Sequence, residues 1–194
     1  MKNGDVPTLH DFRGMGGGAV KALLCDPEDG VCGVGVKEIG FGVSPEGKRR
    51  VMVRKAYMLQ FITDGGGVFC GSRFGCGDVL FSTPCEPEIR ETVGGERYSC
   101  AWICFVGENA ERLISECGIA PAGNIKNTVF SCKRCAEAAE YLIGAVCASY
   151  GERSGQLLLS VLYGVLSMLD NAEGLREDSY VDTARRYIKE NFAF

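Results

Sequence analysis

Histidine is nearly absent from this sequence, since 194 residues contain only one, His10. Most catalytic zinc sites need two or three imidazole ligands, so a site of that kind is excluded. No apolar run approaches the roughly 20 residues that a membrane-spanning helix needs. Residues 1–11 also lack the apolar centre of a secretory signal. We therefore expect a cytoplasmic protein that makes no contact with a membrane.

An excess of basic residues is also missing, because 21 lysines and arginines face 25 acidic residues and give a net charge of −4. Domains that bind nucleic acid through its phosphates usually carry a clear basic excess. We therefore do not expect these residues to bind DNA themselves. Hydrophobic residues make up 46% of the chain, a share typical of a globular domain. The length fits one domain, or one domain with a helical extension.

Cysteine, by contrast, is abundant, with 11 residues. In a reducing cytosol cysteines stay unpaired and act as small buried apolar residues. Cys132 and Cys135 have the Cys-x-x-Cys spacing of zinc ribbons and thiol redox centres. A zinc site would need a second such pair, and Cys117 and Cys147 do not form one. A structural role is favoured, while a redox role for Cys132 and Cys135 stays open.

The hydrophobic pattern changes near Gly107. Before it, short segments rich in β-branched and aromatic residues alternate with glycine turns, which is typical of a sandwich or barrel. The segment 97–106 is apolar on both faces, so we predict a strand buried on both sides. A tight turn at Gly71 is predicted to join two short strands. The predicted strands are residues 31–39, 50–63, 68–70, 72–74, 79–82 and 97–106.

After Gly107 the apolar residues recur at helical spacing. Helices are predicted at residues 108–117, 133–150 and 155–171, and a further one starts near Ser179. The apolar stripe of the helix at 155–171 is wider than one core face needs. We therefore predict that this helix forms a homodimer contact. The predicted dimerisation residues are Leu158, Val161, Leu162, Val165 and Leu169.

Two stretches of this sequence resemble a known family. They are Gly-Asp-Val-Leu-Phe-Ser-Thr-Pro-Cys-Glu-Pro-Glu at residues 77–88 and Tyr-x-x-x-Trp-Ile-x-Phe-x-Gly at residues 98–107. Both resemble the N-terminal effector-binding domain of AraC-family transcriptional regulators. Segments at 57–67, 111–113 and 180–191 resemble the same family in the same order. The resemblance implies an α+β fold, in which a cupin-type, jelly-roll-like β-barrel is followed by α-helices.

The resemblance also implies a domain organisation and a set of partners. Residues 1–18 would form an N-terminal arm, 19–107 the barrel and 108–174 the helical dimerisation region. Residues 175–194 would form a linker helix that leads to a missing DNA-binding domain. The implied partners are a small effector, often a sugar, and a second copy of the chain. DNA would be bound only through that helix-turn-helix domain. No cofactor and no enzymatic activity are implied.

The same resemblance implies the position of the effector site. Trp102 stands where the arabinose-responsive member stacks its sugar, and Arg50 resembles a sugar-contacting arginine of the family. Glu88, Arg90 and Cys100 depart from that member, which puts arabinose itself in doubt. Arg50, Arg54 and Arg90 would favour an acidic or phosphorylated sugar. The candidate ligand-binding residues are Tyr57, Gln60, Trp102, Arg50, Glu88, Arg90 and Cys100.

An enzyme remains an alternative to the regulator. Metal-dependent cupin enzymes bind their ion through several histidines, and His10 lies outside the barrel motifs, so a metalloenzyme is disfavoured. A metal-independent cupin enzyme acting on a sugar would need a general acid or base. Glu88 is the candidate for that role. The second alternative is a redox sensor that uses Cys132 and Cys135.

Overall fold

The structure is a computed structural model, and it describes residues 19–24, 33–44, 49–92, 97–120, 123–148 and 155–169. For residues 19–24 it describes the backbone alone. The predicted arm at 1–18 and the predicted linker helix at 175–194 lie outside the described residues.

The described residues form ten strands in two antiparallel sheets. The larger sheet has the strand order β1-β2-β9-β4-β7-β10. Its strands are β1 (Ala19–Leu24), β2 (Gly35–Val43), β4 (Tyr57–Asp64), β7 (Asp78–Ser82), β9 (Ser99–Val106) and β10 (Thr128–Ser131). The smaller sheet has the order β3-β8-β5-β6. Its strands are β3 (Arg50–Val53), β5 (Gly66–Phe69), β6 (Ser72–Gly75) and β8 (Pro87–Glu91).

Within the described ranges three helices come after β9, which makes the fold α+β as predicted. They are α1 (Ala110–Glu116), α2 (Cys135–Ala148) and α3 (Gly155–Ser167). Gly118 ends the α1 region with a φ of 69°, the left-handed conformation that favours glycine after a helix. The closed barrel expected from the family resemblance is not found. In the part of the chain that the structure describes, no strand of one sheet is hydrogen-bonded to a strand of the other.

The predicted strand at 50–63 is two strands that belong to different sheets. The chain leaves β3 at Arg54, whose carbonyl oxygen accepts a hydrogen bond from the Cys85 amide at 2.8 Å. It then enters β4 in the larger sheet. Strand β8 was not predicted, because its two buried positions hold the charged residues Glu88 and Arg90. Apolar residues are the usual sign of the buried face of a strand. Strand β10 was not predicted either, since it lies between helices.

The main core lies between the larger sheet and the helices. Helix α2 packs against β2, β4 and β9, and α3 packs against α2 and β2. Strand β10 comes from the half of the chain that was predicted to be helical, yet it pairs with β7. The boundary expected at Gly107 therefore does not separate two cores. The largest fully buried side chains of this core include Ile39, Leu59, Phe61, Phe81, Ile103, Phe105, Ile114 and Leu142.

A second apolar cluster lies between the two sheets. Ile62, Leu80 and Cys100 come from the larger sheet, and Phe69 and Phe74 come from the smaller one. The sheets therefore face each other across shared side chains. None of the described helices is long and apolar enough to span a bilayer.

Candidate ligand site between the sheets

Four polar side chains are buried where the two sheets face each other. Successive side chains of a strand point to opposite faces, so Gln60 shares the inner face of β4 with Ile62, and Ser82 shares that of β7 with Leu80. Strand β8 contributes two charged groups from the opposite sheet. The exposed fractions are 3% for Gln60, 1% for Ser82, 1% for Glu88 and 6% for Arg90.

Glu88 is the centre of this polar network. Its carboxylate accepts hydrogen bonds from Arg54 Nε at 3.0 Å and from Arg90 Nη2 at 3.2 Å. The Ser82 hydroxyl donates a third bond at 2.5 Å. Buried carboxylates are strongly unfavourable unless they are paired in this way. The two arginines and the serine therefore hold the Glu88 carboxylate in a fixed position between the sheets.

Arg90 extends the network toward β4 and β9. Its Nη1 donates to Gln60 Oε1, and Gln60 Nε2 in turn donates to Cys100 Sγ at 2.7 Å. The guanidinium carbon lies 5.4 Å from the centre of the Phe69 ring, within cation–π range. Burial is the largest single influence and lowers the pKa of Arg90, but Glu88, Tyr98 and Cys100 together outweigh it, so the pKa is raised. Arg90 therefore stays protonated in the interior.

Two buried polar atoms of the network region have no hydrogen-bond partner among the described residues. They are Nε of Arg90 and Oγ1 of Thr92. Most buried polar atoms in folded proteins are hydrogen-bonded, and an exception needs a specific explanation. Arg90 lies in β8 and Thr92 directly follows that strand, so this part of the chain has two polar atoms that are free to bind a ligand.

Trp102 lies beside the network on the inner face of β9. Its indole is half-buried and contacts both inner clusters, the one with Ile62 and Cys100 and a smaller one that includes Met58. The indole Nε1 donates to Glu38 Oε1 at 2.7 Å. An aromatic face next to charged groups, with its N–H already bonded, is suited to stacking against a ligand ring.

The structure brings together most of the residues that the sequence predicted for the site. Gln60, Glu88, Arg90 and Cys100 form one hydrogen-bonded network, and Trp102 lies next to it. Ser82 and Glu38 were missed. Alternation along β7 puts Ser82 on the same face as Leu80, but a serine in a strand has no functional signature of its own.

Two predicted ligand-binding residues lie elsewhere. Tyr57 is on the helix-facing side of β4, where its ring stacks on Phe81 at 6.1 Å and on Phe105 at 5.6 Å. Burial, with a contribution from Glu111, raises the pKa of Tyr57. Arg50 pairs with Arg90 in the β3–β8 ladder, but its side chain is exposed. Neither side chain is part of the network, and a ligand-binding role for Tyr57 and Arg50 stays a prediction.

The predicted dimerisation residues are also placed differently. Leu158, Val161, Leu162, Val165 and Leu169 are all buried in the chain's own core, with exposed fractions of 3% or less. The wide apolar stripe of α3 is used by α2 and β2, so these five residues do not form a surface for a second copy. The exposed large apolar residues of the helices are Tyr141, Leu157 and Tyr163.

Cys132 and Cys135 are buried beside the end of β10. Cys135 Sγ is 3.5 Å from the carbonyl oxygens of Ile62 and Asp78. Burial raises the pKa of Cys135 to about 12 and also raises that of Cys132. Reactive thiols need a lowered pKa, so this environment counts against a redox role. Among the described residues, no group of three or more histidine, cysteine or acidic side chains is arranged to hold a metal ion.

Comparison with known proteins gives distant likenesses of structure. No protein-family model matches this chain. No curated protein matches it in sequence either. The solved structures that are similar to it include an AraC-like transcriptional activator, ToxT and a predicted oxalate decarboxylase.

The AraC-like transcriptional activator CuxR is 16% identical, with a TM-score of 0.48, over 79% of this chain and 60% of CuxR. ToxT from Vibrio cholerae, bound to (E)-4-(8-methylnaphthalen-1-yl)but-3-enoic acid, is 9% identical, with a TM-score of 0.42, over 81% of this chain and 66% of ToxT. A predicted oxalate decarboxylase from Thermotoga maritima is 19% identical, with a TM-score of 0.32, over 37% of this chain and 67% of that protein. The chain thus spans about two thirds or less of these proteins.

Proposed function

We propose that this chain is the effector-sensing part of an AraC-type transcription regulator and binds a small molecule between its two sheets. The observation that carries this proposal is the buried Arg54–Glu88–Arg90–Gln60 network, in which Arg90 Nε has no partner among the described residues. In this proposal DNA is bound by a helix-turn-helix domain and not by the residues described here.

The energetics of burial support a binding role for the network. A buried ion pair gains little net stability, because desolvation of the charges offsets their attraction. Well-packed apolar side chains of similar size would stabilise the fold equally well or better. The helix-facing side of the larger sheet, by contrast, is lined by apolar side chains such as Phe61 and Ile103. The polar inner face is therefore better explained by recognition than by stability.

The side chains between the sheets favour a sugar or sugar derivative as the effector. Sugar hydroxyls both donate and accept hydrogen bonds, and the network offers donors on Arg54 and Arg90 and acceptors on Glu88 and Gln60. Trp102 adds an aromatic face. The open Nε of Arg90 suits a carboxylate or phosphate oxygen, so we propose a sugar acid or sugar phosphate in preference to a neutral sugar.

A homodimer is part of the same proposal, with a revised surface. Tyr141 on α2 is 40% exposed and Tyr163 on α3 is 44% exposed. Both lie on the outer side of the helix pair, and Gly164 allows α3 to approach the Tyr141 ring closely. We therefore move the proposed dimer contact from the buried stripe of α3 to these two tyrosines.

The geometry of Glu88 counts against the enzymatic alternative. A general acid or base must release or take up a proton near the working pH. The Glu88 carboxylate already accepts one hydrogen bond from each of two arginines and one from Ser82. Its oxygens are thus already bonded to side chains of the chain itself, so we propose a binding domain without catalytic activity.

A thermal-shift series tests the proposed function. The probes are glucose, glucuronate and glucose 6-phosphate, each titrated against the chain. A ligand that binds only the folded state raises the melting temperature as its concentration rises. We expect the acidic probes to give the larger shift, and we expect Arg90→Met to abolish it. Arg112→Met is the matched control, because Arg112 lies in an exposed ion pair with Glu116.

Two results would contradict the proposal. One is a set of melting temperatures that do not respond to any of the three probes or to a wider panel of sugar acids and phosphates. The other is a shift of the same size in the Arg90→Met variant and in the Arg112→Met control, since the ligand would then bind outside the network.

A further inference from the structure

A second feature of the molecule lies at the edge of the smaller sheet. Strand β3 is the last strand in the order β3-β8-β5-β6, and among the described residues it pairs with β8 alone. An unpaired strand edge offers backbone donors and acceptors to another extended chain. This edge is separate from the network between the sheets, so a role for it is independent of the proposed effector.

The hydrogen-bond pattern shows which backbone groups β3 presents at its open edge. The Cys70 amide donates to the Ile89 carbonyl at 2.8 Å, so the backbone groups of Ile89 point toward β5. Val51 is directly opposite Ile89 in the antiparallel ladder. Val51 and Ile89 therefore form a non-hydrogen-bonded pair, in which the N–H and C=O groups of each residue point away from the other strand. The backbone of Val51, and that of Val53 two residues later, therefore points to the open edge.

The side chains of β3 are unusual for an exposed strand. Val51 is 61% exposed and Val53 is 59% exposed, the highest values among the large apolar residues described. The flanking Arg49, Arg50 and Lys55 are exposed as well. Residues 48–55 contain five basic and no acidic residues, in a chain whose net charge is −4. The edge therefore combines apolar side chains with a local positive charge.

We propose that the open edge of β3 binds an extended acidic segment of a partner protein by strand addition. In this mode the backbone hydrogen bonds give affinity, and alternate side chains give specificity. The segment places apolar residues against Val51 and Val53 and acidic residues against the cations at each end. A pattern of acidic, apolar, apolar and acidic residues at every second position satisfies both requirements.

The charge pattern argues against a second copy of this chain as the occupant. Antiparallel self-pairing centred on Met52 puts Arg50 opposite Arg54 and Arg49 opposite Lys55. Like charges directly opposite each other destabilise a strand pair. Nucleic acid is disfavoured too, because strand β3 has no aromatic side chain for base stacking and presents two valines instead. An acidic peptide fits both the charge and the apolar surface.

Fluorescence anisotropy of a labelled peptide tests this proposal. The probe is Glu-Thr-Val-Thr-Val-Thr-Glu, with Lys-Thr-Val-Thr-Val-Thr-Lys as the reversed-charge control, each titrated with the full chain. We expect saturable binding of the acidic probe alone. Arg49→Glu combined with Lys55→Glu should weaken it by about tenfold or more. Arg112→Glu is the matched control and should leave it unchanged.

The backbone contribution is tested by Val51→Pro, which removes the N–H that points to the open edge and leaves the β3–β8 hydrogen bonds in place. We expect about tenfold weaker binding with an unchanged melting temperature. If the melting temperature falls, the unchanged chain is titrated instead with an acidic probe whose valines are N-methylated. This probe should bind about tenfold more weakly than the unmodified probe. The proposal would be overturned if the acidic probe does not bind saturably, or if its binding survives the charge reversal or the lost N–H. Tighter binding of a short DNA duplex would also overturn it.

Discussion

The two faces of the larger sheet use the same strands for different purposes. Strand β9 directs Ala101, Ile103 and Phe105 toward the helices, where each is fully buried among apolar neighbours. The alternate residues of β9 face the smaller sheet, and there Cys100 accepts a hydrogen bond from Gln60. Strand β4 shows the same division. One face is a conventional core, and the other places an amide and thiols opposite the buried charges of β8.

This difference separates stability from recognition. The helix-facing side buries large apolar area, which is the main favourable term in folding. The inner side buries Glu88 and Arg90, whose desolvation offsets most of what their pairing gains. Variants on the two faces should therefore respond differently to the same kind of substitution.

The largest effect is expected on the helix-facing side. Leu162→Asp buries a charge at a fully enclosed position, which should lower the free energy of unfolding by about 4 kcal/mol or more. Chemical denaturation followed by circular dichroism measures this. Its neighbour Tyr163 is 44% exposed, so Tyr163→Glu should leave stability nearly unchanged. By light scattering, Tyr163→Glu should instead turn a dimer into a monomer.

A folded monomer produced by Leu162→Asp would contradict this assignment, because it would place Leu162 at an interface between copies. A dimer that persists in Tyr163→Glu would remove the revised dimer surface and leave the burial of Leu162 unaffected.

A smaller effect is expected from the inner face. Glu88→Gln leaves two guanidinium groups without their shared carboxylate and should cost about 3 kcal/mol. Glu88→Leu combined with Arg90→Met removes the two buried charges together and leaves only Arg54, whose side chain is 25% exposed, so it should recover most of that loss. Glu116→Gln serves as the control, since its ion pair with Arg112 is exposed and should contribute less than about 0.5 kcal/mol.

Urea denaturation gives the three values. A double variant that is as unstable as Glu88→Gln would mean that the network stabilises the fold in its own right. The assignment of stability to the helix-facing side and of recognition to the inner side would then be wrong.

The smallest difference between variants is expected at alkaline pH. Burial raises the pKa of Cys100 to about 11 and those of Cys104 and Cys135 to about 12, from an ordinary value of 9.0. The unfolded chain therefore loses these protons first, and stability should fall as pH rises above about 9. Urea midpoints at pH 8 and pH 10 measure the fall. It should be smaller in Cys104→Ala, and an identical fall would contradict the assigned cause.

Several elements of the fold were predictable from the sequence because their signals are local. Glycine turns and alternation predicted the β5–β6 hairpin, where Gly71 has a φ of 88°. Helical spacing predicted α1, α2 and α3 in the right order. The split between β3 and β4 was not predictable. It occurs at Arg54, whose carbonyl oxygen accepts a hydrogen bond from Cys85, a residue distant in sequence.

The candidate site was predictable only in part. Alternation along β9 put Cys100 and Trp102 on one face, and the structure confirms that both lie on the inner side. The same rule applied to β4 separates Tyr57 from Gln60, but the family resemblance grouped them. For α3 the pattern showed an apolar stripe without showing what covers it. Only the packing of α2 and β2 against that stripe decides this.

The pairing of β10 with β7 determines which fragments of this chain can fold. Strand β10 covers β7, where Val79 and Phe81 are fully buried. A chain ended near residue 107 would lose both β10 and the helices, and β7 would become an open edge with an uncovered apolar face. Such edges are templates for intermolecular strand pairing. A fragment with the first nine strands alone should therefore aggregate, whereas one that extends through α3 keeps its core.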